Sequence, residues 1–174
     1  DKVTKRIIAY LNTVHFPLNP IVPSTEVVHD RVNLELFRGC IRGCRFCQAG
    51  HTYRPIRAKD PELLIEQGKA LLKNTGCQDI TLLSLSSSDY RELTTICDGL
   101  LEFCEPRSIG ISLPSLRADN FSMDIMHRIQ KTRKSGLTFA PEAGSQRLRD
   151  AINKNVTEED LLNTCKLAFE GGWN

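Results

Sequence analysis

Residues 32–47 read Val32-Asn33-Leu34-Glu35-Leu36-Phe37-Arg38-Gly39-Cys40-Ile41-Arg42-Gly43-Cys44-Arg45-Phe46-Cys47. Val32 to Phe37 has the length and apolar content of a strand. The cysteines Cys40, Cys44 and Cys47 follow at C-x3-C-x2-C spacing, with Gly39 and Gly43 interleaved. Three thiolates this close on one irregular loop can converge on a metal centre. Iron–sulfur clusters are normally held by four cysteine thiolates, and here the local set stops at three. A cubane held by three cysteines keeps one iron open to a substrate or cofactor.

Two other readings of the cysteines stand beside this one. A structural zinc site takes four ligands, usually in two separated pairs. His51 could be the fourth, but no second cysteine pair follows. A disulfide framework fits poorly with an odd total of seven cysteines. The scattered Cys77, Cys97, Cys104 and Cys165 read as small buried hydrophobes.

Working outward, the strand–loop–helix pattern repeats. Asp60-Pro61-Glu62 reads as a helix start, with Asp60 as N-cap, and the helix runs to about Asn74 before Gly76 closes it. Ile80 to Leu85 is an apolar run expected to form a strand covered on both faces. A second helix is expected over 90–105, ended by Pro106. A third strand is expected over 108–113 and a third helix over 118–131. A fourth strand is expected over 136–140, and a fourth helix from Thr157 to about Glu170. Four such units in alternation predict an α/β fold with a parallel sheet. Reactive groups in such folds sit on the loops after the strand C-terminal ends. Residues 1–31, broken by Pro17, Pro20 and Pro23, read as an N-terminal linker or extension, with 32–174 as the domain proper. His29-Asp30 could brace the cysteine loop. The chain starts at Asp1 and stops at Gly171-Gly172-Trp173-Asn174 after a helix, so it reads as a fragment of something longer.

The other candidate site residues fall at strand ends. Ser86, Ser87 and Ser88 with Asp89 are either a helix cap or a polar cradle for a ligand. Ser112 and Arg117 follow the third strand, and Arg117 is either an anion partner or a solvated loop charge. Glu142, Gly144 and Ser145 follow the fourth; turn and cap chemistry covers Gly144 and Ser145 but not Glu142. Arg54 and Arg57 either shield the cysteine site or anchor the surface. The net charge of +2 demands no nucleic-acid partner, and Arg128, Lys131, Arg133 and Lys134 read as cations at a helix C-terminus. No apolar run approaches a membrane span. Abundant thiols point to a reducing, cytoplasmic compartment.

The C-x3-C-x2-C motif, with an aromatic residue before the last cysteine, resembles the signature of the radical S-adenosylmethionine (radical SAM) enzymes. VVHDRVNLELFRGC, YRPIR, the serine run and APEAGSQRLR extend the likeness toward uncharacterised members associated with cobalamin-binding domains and described as Fe–S oxidoreductases. The resemblance implies a partial parallel β/α barrel of the radical SAM type, truncated here to about four strand–helix units, with two further strands beyond Asn174. It implies a 4Fe-4S cluster on Cys40, Cys44 and Cys47, and S-adenosylmethionine chelated to the fourth iron. An electron from the reduced cluster would cleave the sulfonium to a 5′-deoxyadenosyl radical. Phe46 would lie against the adenine. Backbone and side chains of Ser86, Ser87, Ser88 and Ser112 would cradle the cofactor, although the family often has glycines where this chain has serines. Glu142 and Ser145 would reach its ribose and methionine ends. An electron donor such as flavodoxin or ferredoxin is implied, and cobalamin is a possible cofactor of a separate upstream domain. The competing function is an electron-transfer or cluster-binding module without radical chemistry, and the third reading is a zinc-stabilised interaction domain.

Overall fold

The computed structural model describes residues 3–173. In chain order the elements are β1 (Val32–Glu35), β2 (Phe37–Arg38), α1 (Gln48–Thr52), β3 (Arg57–Ala58), α2 (Pro61–Thr75), β4 (Asp79–Leu83), α3 (Leu93–Cys104), β5 (Gly110–Ser112), α4 (Met123–Ile129), α5 (Gln146–Ala151) and α6 (Glu158–Glu170). β1, β4 and β5 form a parallel sheet in that order, while β2 and β3 make a separate antiparallel ribbon. The architecture is α/β, a partial parallel β/α fold.

Alternation along the strands gives the sheet two unlike faces. Leu34 pairs with Leu82 and Ile80 with Ile111 on the helix-covered side. A Cβ added at Gly68 of α2 would meet Leu100, Ile80 and Leu34 within 3.4 Å, so α2, α3 and the sheet close on one another there. Leu34, Leu64, Ile80, Leu82, Ile96 and Leu100 are fully buried. Each such side chain contributes about 1.5–3 kcal/mol relative to exposure. The opposite face carries Asn33, Thr81 and Ser112 in one cross-strand row, with Glu35 opposite Leu83 one step on. Leu83 is 44% exposed, so β4 is not covered equally on both faces as its apolar sequence suggests.

The expected first strand divides at Leu36. Its N–H donates to Leu83 O and its carbonyl accepts from Lys59 N, each at 3.0 Å. Phe37–Arg38 then turns off to pair with Arg57–Ala58. Residues 39–56, with the three cysteines, are therefore an excursion closed at its base by a short ribbon.

The expected helices form; α2 and α6 keep their expected extents, while α3 and α4 are shorter. Gly76 ends α2 in the left-handed conformation (φ 73°), where glycine carries no Cβ penalty. Asp60 occupies the N-cap position without capping. Its carboxylate instead accepts from Asn12 Nδ2 at 2.6 Å, and its N–H donates to Asn12 Oδ1 at 2.9 Å. Asn12 thus ties the N-terminal segment to the start of α2 through Asp60. Phe16 lies under Lys59 Nζ at 4.0 Å, fastening the same segment to the residue that follows β3. Residues 118–131 divide into a 3-10 turn at Ala118–Asn120 and α4. α6 opens on a reciprocal capping box between Thr157 and Asp160.

The expected fourth strand over 136–140 does not pair; β5 is the last strand of the sheet among the described residues. The segment is held elsewhere at its start. Lys134 Nζ donates to Gly172 O at 2.6 Å and Trp173 Nε1 donates to Ser135 O at 2.8 Å. A polar gap of about 390 Å3 runs between the β5 edge and residues 133–138. Phe139 packs edge-on to Phe121, centroids 5.1 Å apart. These contacts hold the segment apart from the β5 edge.

Candidate functional site

The cysteine loop leaves the carboxyl end of β1. All seven cysteines are free thiols; Cys44 is buried and Cys40 and Cys47 are half-buried. Gly39 starts the loop at φ +98°, where a Cβ would lie 2.6 Å from Tyr53 O and 2.9 Å from Pro55 O. Only glycine fits there. Cys47 N–H donates to Cys44 O at 3.1 Å, folding the last two cysteines into one turn. Among the described residues, no group of three or more His, Cys, Asp or Glu side chains is placed to hold a single metal ion. His51 lies exposed in α1. The three thiols share one loop without meeting at a point, and in a multi-iron cluster each thiolate ligates a different iron.

The loop is gripped from two sides. On one, Arg42 sends Nε to Asp89 Oδ2 at 2.9 Å and Nη2 to Asp89 Oδ1, while Nη1 reaches Asp119 Oδ2 at 3.1 Å. Arg117 forks onto the same Asp119 at 2.8 and 3.0 Å and donates to Lys154 O at 2.8 Å. On the other side, Arg45 N–H donates to Ile152 O at 2.9 Å and Asn153 Nδ2 to Gly43 O at 2.8 Å. A Cβ at Gly43 would press on Asn153 Nδ2 at 2.8 Å. Burial works against the Asp89 charge, but hydrogen bonds and charge from Arg42 outweigh it and hold the carboxyl below its ordinary range. The bonds to Asp89 hold the Arg42 guanidinium above its own range against the same burial.

The serine run divides by role. Ser87 is fully buried; its Oγ donates to Leu82 O at 3.1 Å, lies 2.9 Å from Ser84 Oγ, and its N–H donates to Ser115 O at 2.9 Å. That hydroxyl is spent inside the fold. Ser88 Oγ is buried with no hydrogen-bond partner, and Ser86 is buried beside the Asp89 carboxylate without a well-formed bond. Buried unsatisfied hydroxyls are costly, and two of them, on either side of Ser87 after a strand end, fit a polar ligand. Neither Ser88 nor Asp89 caps a helix: α3 starts at Leu93, and Asp89 belongs to Arg42. Ser112 sits half-buried at the end of β5 beside Thr81, whose Oγ1 is also buried and unpartnered.

Phe46 stands 54% exposed on the loop. Glu142 adopts φ +70°, an uncommon conformation for a non-glycine residue, and pairs with Lys154 Nζ at 3.1 Å. Ser145 caps α5, accepting from Leu148 N at 3.4 Å. Through Lys154 and Asn153 the 142–154 segment joins the grip on the cysteine loop. Arg57 serves main-chain anchoring, donating to Pro55 O, Ile8 O and Tyr53 O. His29 and Asp30 precede β1, at the end opposite the cysteine loop, and do not brace it. Cys97 and Cys104 are core residues, their thiols pushed up by burial to about 12 and about 11, whereas Cys77 and Cys165 are only half-buried. Of the basic run, Arg128 pairs with Asp98 and Arg133 with Asp79.

No local pattern marks Arg42, Asp119 or Asn153 as site residues. Arg42 and Asp89 lie 47 positions apart and Arg42 and Asp119 lie 77 apart, and no periodicity or cap pattern reports such pairs.

A parallel sheet with three thiols, a charged grip and unsatisfied hydroxyls at its strand carboxyl ends has the layout of a β/α enzyme that holds its chemistry on strand-end loops. The description "Radical SAM superfamily" matches residues 34–174, and the chain belongs to that superfamily. It is 38% identical over 139 residues to uncharacterized protein MJ0966 of Methanocaldococcus jannaschii, covering 80% of this chain and 30% of that protein. It is 30% identical over 148 residues to "Putative methylthiotransferase MJ0865" of the same organism, covering 81% and 33%. It is 25% identical over 136 residues to threonylcarbamoyladenosine tRNA methylthiotransferase MtaB of Treponema pallidum, covering 76% and 28%. The chain spans about a third of the length of these relatives. No helix among the described residues is long and apolar enough to cross a membrane.

Proposed function

We propose that this chain carries the cofactor-binding part of an enzyme that cleaves S-adenosylmethionine reductively. The observation that carries the reading is the trio of free thiols on one glycine-shaped loop at the end of β1, beside buried hydroxyls without partners at the end of β4. Cys40, Cys44 and Cys47 would hold a 4Fe-4S cluster. When bound, cluster and sulfonium cofactor supply a one-electron cleavage that yields an adenosyl radical. The protein's own part is to hold and orient. Ser86, Ser88 and Ser112 offer hydroxyls and main-chain groups to the amino-acid end of the cofactor. Exposed Phe46 offers an aromatic surface to the adenine. Glu142, on a loop fixed through Lys154, offers a carboxylate to vicinal hydroxyls. A low-potential donor such as flavodoxin or ferredoxin would bring the electron. Cobalamin forms no part of this reading.

Anaerobic reconstitution with iron and sulfide tests it. About four iron atoms per chain are expected, with a reduced-state paramagnetic spectrum altered by S-adenosylmethionine and with 5′-deoxyadenosine formed on reduction. A cluster indifferent to S-adenosylmethionine would make the chain an electron carrier. Iron uptake unchanged by Cys40→Ala would overturn the assignment of a cluster to these cysteines.

A further inference from the structure

The cysteine loop carries a cation, Arg42, to which the ligand scheme gives no task. Its guanidinium is bound at three nitrogens, to two carboxylates on two different strand-end turns. Those carboxylates are held without it. Asp119 is forked by Arg117, and Asp89 sits in a 3-10 turn closed by its own N–H to Ser86 O at 2.9 Å. The two turns are also tied to each other: Asn120 Nδ2 donates to Ser88 O, and Ser87 N–H donates to Ser115 O. The acids form a socket, and Arg42 is the plug that the cysteine loop inserts.

We propose that Arg42 is the positioning residue of the cluster site, seating the cysteine loop in a charge-balanced clasp with Asp89, Asp119 and Arg117. The inference rests on the cluster reading above. Four side chains, two cationic and two anionic, sum to zero. Their side chains are 24%, 6%, 13% and 9% exposed for Arg42, Asp89, Asp119 and Arg117, so solvent screens them only in part. Arg42 sits two residues from both Cys40 and Cys44 on the same loop. A lysine, with one point charge, cannot reproduce a fork plus a third contact.

Two consequences separate. The first is geometric: without the plug, the loop holds its cysteines less often in the ligating arrangement, so less cluster forms at a given iron and sulfide supply. The second is electrostatic. Reduction adds one electron to the cluster and changes nothing else, so uncompensated negative charge nearby lowers the reduction potential and positive charge raises it. Arg42→Gln leaves the clasp at net −1, and Asp89→Asn leaves it at net +1.

The test is anaerobic reconstitution of the chain and these variants, with iron content, redox titration, and circular dichroism as the fold control. Expected are a several-fold loss of iron per chain in Arg42→Gln, no rescue by Arg42→Lys, and potential shifts of opposite sign in Arg42→Gln and Asp89→Asn. The double variant Arg42→Gln/Asp89→Asn should return the potential toward the parent while loading stays low. If Arg42→Gln forms too little cluster to titrate, Arg117→Gln supplies the net −1 arm, with a negative shift expected against the positive one of Asp89→Asn. Folded single variants that load like the parent, or shifts without the charge-dependent sign, overturn the inference. A parent chain that takes up no iron would fail the cluster reading instead, so the two failures are distinguishable.

Discussion

Neighbouring residues of β4 belong to two different chemistries. Ile80 and Leu82 are sealed against α2 and α3, while Thr81 and Leu83 look the other way, one a buried hydroxyl without a partner and the other nearly half exposed. The helix face is held by apolar packing of Leu34, Ile80, Leu82 and Leu100 around Gly68. The strand-end mouth is held by charges and main-chain bonds. The first face carries the stability, and the second spends some of it on unsatisfied polar groups and positive-φ backbone, as functional sites commonly do.

The largest expected effect tests the apolar side. Leu34→Ala should lower unfolding free energy by about 2–5 kcal/mol, read from urea denaturation. Leu83→Ala, on the opposite face of the same sheet, should cost less than about 1.5 kcal/mol, because its side chain is only partly removed from water. Equal costs would erase the distinction between the faces.

At the mouth, Gly39→Ala should cost about 1–3 kcal/mol, because the backbone is left-handed there and two carbonyls crowd the new Cβ. The damage should be local: faster hydrogen exchange over residues 40–56, unchanged protection in α2 and α3. Uniform loss of protection would show that the loop is no separate unit.

A smaller effect is pH-dependent. The Asp89 carboxyl is held below its ordinary value, so its charge contributes stability that is complete above the unfolded pKa, about 3.9. That contribution disappears as pH falls through the lower folded value. Asp89→Asn should therefore be less stable than the parent by about 1–2 kcal/mol at neutral pH. The gap should be constant above about pH 5 and close below about pH 4. A gap that persists in acid would assign the loss to packing.

The smallest effect lies outside both regions. Thr157→Ala removes the capping box of α6 and should cost about 1 kcal/mol without altering iron uptake. A change in uptake would extend the mouth to α6.

What the sequence made legible follows the same division. β1, β4, β5, α2, α3 and α6 were readable because apolar period, proline, glycine and caps are local signals. The cysteine motif was readable because its spacing is short. The 136–140 segment misled because Leu137 and Phe139 alternate like a strand, whereas Lys134, Ser135 and Trp173 decide where it lies. Asp60 misled in the same way: proline and an acid follow it as at a capped helix start, yet Asn12, 48 positions away, takes its carboxylate. Arg42 carries no signal of its own between the cysteines, since ion pairs across loops leave no pattern along a chain.

The central claim is that three thiolates leave one iron for S-adenosylmethionine, and the most direct measurement is electron–nuclear double resonance on the reduced, reconstituted chain. With isotopically labelled S-adenosylmethionine, coupling to the cofactor's amino nitrogen is the predicted result. A spectrum without that coupling, carrying instead the signature of a protein side chain on the fourth iron, would contradict the account.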